Sequence, residues 1–280
     1  MSFAKKLALH YIRTKFKILS RVSKRKAAEQ AFELFCTPQY RNKKDLPQLF
    51  KEAESLQFQF HDYDVQGFRW NGDVSEKVLI LHGFESSIVN FDRYVKPLVA
   101  EGYCVIGFDA PAHGRSSGKM INVLIYKEFV DAIQQKYGPV RRFIAHSFGG
   151  LAISLALEEW KDTETYKAVL IAPATETSTA VDYLFSVLGL PHSLREEFEK
   201  LITEKGGNPT QWFSIARAAE HIKAQVLWLH DKDDDMTPVS DVEPVIKKGY
   251  PNFRFHITEG LGHRRIYRDN AVVQEIVNFL

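Results

Sequence analysis

The sequence has few cysteines, no long apolar run and almost no excess charge, and each shortage excludes a class of protein. Its 280 residues include only Cys36 and Cys104, which cannot form a disulfide framework and do not have the spacing of metal ligands. No run of about 18 apolar residues is present, so no transmembrane helix is expected. The first 25 residues are basic but lack an unbroken apolar stretch and a cleavage site, so a secretory signal is not expected. We therefore expect a soluble cytoplasmic protein.

The charge is balanced overall but unevenly distributed along the chain. Thirty-seven Lys and Arg residues against 35 Asp and Glu residues leave a formal net charge of +2, which argues against a general nucleic-acid binder. Residues 1–44, however, hold 12 basic and two acidic residues, and the remaining residues hold 25 basic and 33 acidic ones. The local charges are thus +10 and −8, and the two parts are expected to have different roles.

The basic segment has the pattern of an amphipathic helix. Apolar residues recur at spacings of three and four, as on one face of a helix: Phe3, Leu7, Tyr11, Ile12, Phe16, Leu19 and Val22. Proline cannot continue the helical hydrogen-bond ladder, so Thr37-Pro38 is expected to end this helical segment. We predict a basic helical extension over residues 1–50 and a second domain over residues 51–280.

From residue 56 onward, short apolar strands alternate with helical stretches. Alternation at Leu56–Phe60 and Val65–Trp70 predicts an antiparallel hairpin. Six further strands are predicted, at Lys77–Leu81, Val105–Phe108, Arg142–Ala145, Ala168–Ala172, Val226–Leu229 and Phe253–Ile257. Helices are predicted near residues 89–100, 121–137, 148–160 and 265–280. This order indicates an α/β fold with a mostly parallel sheet covered by helices on both faces.

One interval is too long for a simple crossover between neighbouring strands. About 50 residues separate the predicted strand that ends at Ala172 from the one that starts at Val226, and plain connections are much shorter. Apolar residues at helical spacing occur in this interval, near residues 183–188 and 198–202. We interpret residues 173–224 as a small helical insertion lying over the carboxyl edge of the sheet.

Three polar residues follow successive predicted strands and have the types that nucleophilic catalysis needs. Ser147 lies in Ala145-His146-Ser147-Phe148-Gly149-Gly150, a strand-to-helix turn with small residues two positions before and after the serine. Serine needs an adjacent base, and His263 follows the last strand in a glycine-rich loop. The histidine in turn needs a carboxylate, and Asp234 lies in a loop with four aspartates after the penultimate strand. Ser, Asp and His in this chain order are those of an α/β-hydrolase.

Each of these motifs also has a simpler interpretation. The serine alone suits a helix N-cap, and His263 alone suits a surface loop. The four aspartates suit a solvated loop or a hard-cation site, although their spacing differs from the Asp-x-Asp-x-Asp-Gly loop.

From about residue 55 to residue 280 the sequence resembles the α/β-hydrolase fold family. Residues 79–84 (Leu-Ile-Leu-His-Gly-Phe) resemble its His-Gly strand end, and residues 108–116 resemble its Asp-x-Pro-x-His-Gly-x-Ser turn, which is chiefly structural. Residues 230–238 align with a His-Gly-x-x-Asp-x-x-Val-Pro stretch and select Asp234 as the acid. Three departures occur, with Ala145 and Asp231 each in place of Gly, and Thr237 in place of Val. Residues 173–224 match the family's cap position.

The resemblance implies a serine hydrolase that acts on a carboxylic ester or another small-molecule acyl substrate. It implies Ser147 as nucleophile, His263 as base and Asp234 as acid, with the backbone N–H groups of Phe84 and Phe148 as the oxyanion hole. No metal or organic cofactor is implied. Thioesterase, amidase, C–C hydrolase and cofactor-free perhydrolase chemistry remain open, as does a catalytically idle binding module, because a fold does not settle the reaction.

Residues 1–44 lie outside all of these motifs, and three roles compete for them. The helix packs on the hydrolase body, lies on an anionic membrane surface, or binds nucleic acid. No nucleic-acid-binding module is recognisable, so we expect no nucleic-acid partner. A cytoplasmic location with peripheral membrane contact through this segment is the main alternative to packing on the body.

Overall fold

The computed structural model describes residues 3–42 and 45–280, and within them the chain forms eight strands and twelve helices. The strands are β1 (Glu54–Phe60), β2 (Tyr63–Trp70), β3 (Lys77–Leu81), β4 (Cys104–Phe108), β5 (Arg142–His146), β6 (Lys167–Ile171), β7 (Gln225–Asp231) and β8 (Phe253–Thr258). The helices are α1 (Phe3–Val22), α2 (Lys24–Cys36), α3 (Gln48–Lys51), α4 (Asp92–Ala100), α5 (Val123–Tyr137), α6 (Phe148–Glu159), α7 (Thr177–Leu188), α8 (Arg195–Gly206), α9 (Ile215–Ala218), α10 (Glu243–Lys248), α11 (Gly262–Arg265) and α12 (Asn270–Phe279).

The eight strands form one sheet in the order β1-β2-β4-β3-β5-β6-β7-β8. The first two strands pair antiparallel with each other and β2 with β4, while β3 to β8 run parallel. Parallel strands connected by helices have their carboxyl ends at one edge, and ligands of open α/β sheets bind there. Ser147, Asp234 and His263 follow β5, β7 and β8, so the topology brings all three to that edge.

The inner strands are apolar along their length because helices cover both faces. All five residues of β4 are buried, and β3, β5 and β6 each bury four of five residues. The sheet and the helices on one face share a core that includes Phe50, Ile80, Tyr94 and Ile276. The fold is the predicted mostly parallel sheet with helices on both faces. No helix within residues 3–42 or 45–280 is both long and apolar enough to cross a membrane.

The chain divides into two compact units whose boundaries differ from the predicted one at residue 50. The smaller unit combines the segment up to Thr37 with Glu176–Ser214, and the larger unit combines Pro38–Thr175 with Ile215–Leu280. The sequence predicts that the first of these segments belongs to a separate extension and the second to the domain over residues 51–280. The structure instead joins the two segments into one helical unit.

Aromatic packing and ion pairs hold the smaller unit together. The rings of Phe32 and Phe35 on α2 contact Phe198 on α8, with centroid distances of 6.2 and 6.1 Å. Arg25 on α2 donates to both carboxylate oxygens of Glu204 on α8, at 2.9 and 2.6 Å. These partners are separated by more than 160 residues in sequence. Because such pairings follow no local pattern, the sequence did not reveal that α2 packs on the predicted cap segment.

A short break separates α1 from α2. Ser23 has an extended backbone, and its side chain accepts a hydrogen bond from the N–H of Lys26, as an N-cap does. Arg13 on α1 donates to the carbonyl of Val187 at the end of α7, with N–O distances of 3.1 and 2.8 Å. The predicted basic helix is therefore two helices, and both contact helices of the segment Glu176–Ser214.

Candidate active site

Ser147 lies in a strained turn between β5 and α6. Its backbone has φ 54° and ψ −119°, a combination that a residue with a side chain rarely adopts and that the surrounding structure must stabilise. Its N–H donates to the carbonyl of Ile171, at 3.1 Å, which holds the turn against β6. The turn holds the serine hydroxyl out from the end of the strand, where it contacts His263.

Neighbouring glycines make this turn possible. A Cβ atom added at Gly149 would lie 2.8 Å from the carbonyl oxygens of Leu81 and His82, which is too close for any side chain. A Cβ atom at Gly83 would lie 2.9 Å from the Cβ of Ser147. The strand end at His82-Gly83 therefore packs directly against the serine turn, and glycine is required on both sides of the contact.

His263 connects Ser147 to Asp234. Its Nε2 atom is 3.0 Å from the hydroxyl oxygen of Ser147, and its Nδ1 atom is 2.8 Å from Oδ2 of Asp234. The side chain of His263 is almost completely buried, and that of Asp234 is completely buried. With the proton on Nδ1, the ring donates to the carboxylate and its Nε2 lone pair accepts from the serine. The structure thus brings together the three residues that sequence analysis selected.

The loop after β7 presents Asp234 as a fully hydrogen-bonded carboxylate. Burial by itself would raise the pKa of Asp234. The hydrogen bond and charge of His263, together with the N–H groups of Thr237 and Met236, outweigh burial and lower that pKa below its usual value. The carboxylate is therefore ionised at neutral pH and available to orient the imidazole.

Two other aspartates near Asp234 do not contact His263. They hold in place the segment between β8 and His263, which we call the histidine loop. Oδ2 of Asp231 accepts from the hydroxyl of Thr258 at 2.6 Å and from the N–H of Leu261 at 3.0 Å. Oδ2 of Asp233 accepts from the N–H of Gly260 at 3.0 Å. No cluster of three or more His, Cys, Asp or Glu side chains suited to a metal ion occurs within residues 3–42 and 45–280.

Thr237 is a member of this network that sequence analysis did not assign. Its hydroxyl lies 2.8 Å from Oδ2 of Asp234, 3.1 Å from Nδ1 of His263 and 3.3 Å from the carbonyl oxygen of Ala172. A valine, the usual residue at this position, has no hydroxyl to donate. The sequence shows Thr237 as a departure from the family pattern. The contact of Thr237 with the Asp234 carboxylate is visible only in the structure.

His146, which precedes the serine, is a second residue that sequence analysis did not assign. It is buried, its Nε2 atom lies 3.0 Å from the backbone carbonyl oxygen of His263, and its ring lies 4.5 Å from that of Tyr267. Burial, with the nearby His263 ring, lowers the pKa of His146 to about 3. A neutral His146 that donates from Nε2 anchors the backbone of the histidine loop.

Phe84 and Phe148, the expected oxyanion-hole residues, lie side by side. Their rings meet edge to face with a centroid distance of 5.7 Å. Phe148 is the first residue of α6, and the first N–H groups of a helix have no acceptor inside the helix. Because Gly83 contacts Ser147, the Phe84 backbone also lies next to the serine turn.

Buried histidines fix the loop that carries Phe84. Nε2 of His82 accepts from the N–H of Ala110 at 2.9 Å, and Nε2 of His113 accepts from the N–H of Glu85 at 3.0 Å. Burial lowers the pKa of His82 to about 4 and that of His113 to about 3, so both are neutral acceptors at neutral pH. Their contacts are with backbone, which agrees with the structural role that sequence analysis gave to His113.

Comparison with known proteins identifies the fold and supports a hydrolase. A family model described as serine aminopeptidase S33 matches residues 72–206, a stretch that includes Ser147 but ends before Asp234 and His263. The protein YqkD of Bacillus subtilis is 24% identical over 250 residues, which cover 82% of this chain and 79% of YqkD. A 2-hydroxy-6-oxononadienedioate hydrolase of Escherichia coli K12 is 25% identical, with 75% of this chain and 88% of the enzyme covered.

Solved structures give the same architecture. An esterase of Pyrococcus furiosus, Pf2001, superposes with a TM-score of 0.64 at 22% identity, covering 88% of this chain and 97% of the esterase. The thioesterase domain of the curacin biosynthetic pathway superposes with a TM-score of 0.60 at 17% identity, covering 80% and 99%. At such low identity these likenesses establish the fold and leave the reaction to be argued from the site.

Proposed function

We propose that this chain, which has the α/β-hydrolase fold, is a serine hydrolase that cleaves a carboxylic ester or a related acyl bond. The single observation that carries the proposal is the chain of hydrogen bonds from Ser147 through His263 to Asp234, with distances of 3.0 and 2.8 Å. This arrangement supports acyl transfer in which Ser147 is the nucleophile, His263 the base and Asp234 the carboxylate that orients the base.

In the first half of the reaction the serine is acylated. Oγ of Ser147 attacks the substrate carbonyl carbon while Nε2 of His263 takes the hydroxyl proton. The carbonyl oxygen, on which negative charge develops, accepts hydrogen bonds from the N–H groups of Phe84 and Phe148. As the tetrahedral intermediate collapses, His263 gives its proton to the leaving alcohol oxygen, and an acyl-serine remains.

In the second half water releases the acyl group. His263 takes a proton from a water molecule as the water attacks the acyl carbon, and the same two N–H groups stabilise the second oxyanion. Collapse breaks the bond to Oγ, and His263 returns the proton to Ser147 as the carboxylic acid leaves. Asp234 stays ionised throughout, because its role is to orient and stabilise the imidazolium.

Hydrolysis of a carbon–carbon bond is the second candidate, and one specific observation favours it. The relative in Escherichia coli K12 that is 25% identical over three quarters of this chain is a hydrolase of 2-hydroxy-6-oxononadienedioate, a substrate whose hydrolysis cleaves a carbon–carbon bond. The same serine, histidine and oxyanion donors serve either leaving group. Turnover of that compound and of a short p-nitrophenyl ester therefore separates the two reactions.

Steady-state turnover of a short p-nitrophenyl ester tests the main proposal. We expect wild-type protein to turn over, and Ser147→Ala and His263→Ala each to reduce kcat by about 10⁶-fold, because the two residues act as a unit. Ser240→Ala and His256→Ala are matched controls, since both side chains are exposed. They are expected to retain full activity.

Three results would overturn the proposal or redirect it. No ester turnover by folded wild-type protein, combined with none on the dienedioate, would favour an idle binding module. Full activity of Ser147→Ala would remove the serine from the mechanism. A kcat/KM on the dienedioate that exceeds the ester value by about 100-fold or more would identify the reaction as carbon–carbon bond hydrolysis.

A further inference from the structure

One face of α1 presents large apolar side chains to solvent. Leu7, Tyr11, Ile18 and Val22 are 61%, 68%, 60% and 79% exposed. At about 100° per residue these four positions fall within about 60° of arc on the helix. We call this set the α1 stripe. Phe16, on the opposite side of the helix, is only 3% exposed, so α1 has an inner apolar face that is covered and an outer one that is not.

The α1 stripe continues into an apolar groove between α1 and α2. The groove has a volume of about 400 Å³. Gln30 of α2 lines it together with six residues of α1: Tyr11, Thr14, Lys15, Ile18, Leu19 and Val22. Contiguous exposed apolar surface of this kind marks an interaction site more often than scattered single residues do.

Positive charge borders the α1 stripe on both sides. Lys15 lies at about 50° from its centre on one side, and Arg21 and Lys17 lie at about 70° and 110° on the other; all three are exposed. α1 contains six Lys or Arg residues and no Asp or Glu. Arg25 on α2 is paired with Glu29 and Glu204, whereas Lys15, Lys17 and Arg21 form no salt bridge with any residue in the described ranges 3–42 and 45–280.

We propose that α1 binds the surface of an anionic lipid bilayer. The helix lies parallel to the surface, the α1 stripe enters the boundary between headgroups and acyl chains, and Lys15, Lys17 and Arg21 contact the anionic headgroups. An apolar face bordered by basic residues is the pattern of interfacial helices, whose binding combines apolar burial with electrostatic attraction.

Charge distinguishes a bilayer from a second copy of this chain as the occupant. Two α1 helices packed stripe to stripe would bring two sets of three unpaired cations together, with no carboxylate on either helix to separate them. Like charges brought together in this way oppose association. An anionic headgroup layer neutralises the same cations, so the electrostatics favour the bilayer.

Sedimentation of the full chain with vesicles tests the proposal. Vesicles of phosphatidylcholine with phosphatidylglycerol are compared with phosphatidylcholine alone, at low and high salt. We expect binding to the anionic vesicles only, weakened by salt. Lys15→Gln with Arg21→Gln should lower the partition coefficient about 25-fold, or about fivefold for each charge removed. Ile18→Asn with Val22→Asn should lower it by about tenfold or more.

Matched substitutions outside α1 are the controls. Ile246 is also exposed, at 38%, and Ile246→Asn should leave vesicle binding unchanged. Lys223 and Lys247 are exposed lysines, and Lys223→Gln with Lys247→Gln should likewise have no effect. All variants should keep wild-type ester turnover, since that activity uses none of these residues.

Several outcomes would overturn the proposal. They are equal binding to neutral and anionic vesicles, absence of binding at low salt, or an equal loss in the controls. A fourth is self-association that Ile18→Asn with Val22→Asn abolishes while vesicle binding is absent, which would assign the α1 stripe to a second copy of the chain.

Discussion

The two compact units differ in whether they bury acidic, basic or histidine side chains. In the larger unit His82, Asp109, His146, Asp234 and His263 are buried, and each is hydrogen-bonded to a neighbour. In the smaller unit no His, Asp, Glu, Lys or Arg is buried among the side chains that the structure describes. Removing one partner from a buried polar network has a large energetic cost, whereas removing one partner of an exposed ion pair has a small one.

The buried residues of the larger unit include the proposed catalytic residues, whereas the charges of the smaller unit are exposed and available for binding. We expect substitutions in the buried network to change catalysis or acid stability strongly. Substitutions among the exposed pairs of the smaller unit should change neither. The following predictions test this division, beginning with the largest expected effect.

Asp234→Asn should lower kcat by about 10⁴-fold, because an amide supports the wrong tautomer of the adjacent histidine. The adjacent Asp233 is the matched control. Its carboxylate accepts from the N–H of Gly260 and does not contact His263, so Asp233→Asn should change kcat by less than about tenfold. Ester kinetics of the two variants check the assignment, and a larger loss in Asp233→Asn would contradict it.

Lowering the pH should destabilise the protein at pH values well above those at which its carboxylates titrate. Burial lowers the pKa of His82 to about 4, and that of His113 and His146 to about 3. In the unfolded chain these histidines bind protons near pH 6.5, whereas in the folded chain they stay neutral. Their contribution to the free energy of unfolding is therefore complete above about pH 6.5 and decreases as the pH falls toward 4. The pKa values of Asp231 and Asp234 are lowered, so these carboxylates weaken the fold only below about pH 4.

Urea unfolding between pH 7 and pH 5 measures this effect. The free energy of unfolding should decrease by several kcal/mol, since each histidine contributes about 1.4 kcal/mol per pH unit below 6.5. His113→Asn should reduce the slope by about one proton. A stability that is constant over this range, or a slope that His113→Asn leaves unchanged, would show that these histidines are not buried in neutral form.

Thr237→Val should change catalysis moderately. The variant removes a hydroxyl that lies 2.8 Å from the Asp234 carboxylate, and the carboxylate then interacts more strongly with the imidazolium. The acid limb of the kcat/KM profile should therefore move to higher pH by up to about one unit, with kcat changed by less than about tenfold. Thr237→Ser keeps the hydroxyl and should retain the wild-type profile. A serine variant that shifts as far as the valine variant would indicate a packing effect instead.

Arg25→Gln should have the smallest effect. Its partners Glu29, Glu197 and Glu204 are partly exposed, and solvent screens such pairs. We expect less than a twofold change in kcat/KM on a soluble ester and little change in the midpoint of thermal unfolding. A large loss of activity would contradict the separation between the buried network and the exposed charges.

The sheet could be predicted from the sequence because its signals are local. Each predicted strand overlaps an observed one, and Lys77–Leu81 coincides with β3. The smaller unit could not be predicted in the same way. Its contacts join residues such as Arg25 and Glu204, which are 179 positions apart, and an amphipathic helix shows which face is buried but not against which partner.

The candidate site was predictable only in part. Chain order and strand context selected Ser147 and His263, and alignment to a motif selected Asp234 from four neighbouring aspartates. In the structure Asp234 contacts His263, whereas Asp231 and Asp233 accept hydrogen bonds from backbone N–H groups of the histidine loop. The contacts of His146 and Thr237 depend on where β8 and its loop return, which no spacing rule gives.

Covalent labelling tests the central claim most directly. A fluorophosphonate reacts with a serine only where a base activates the hydroxyl and N–H donors stabilise the phosphoryl oxygen. We predict stoichiometric labelling of the wild-type protein, an adduct that maps by mass spectrometry to the peptide containing Ser147, and no labelling of Ser147→Ala. An unlabelled, folded wild-type protein, or undiminished labelling of Ser147→Ala, would contradict the account.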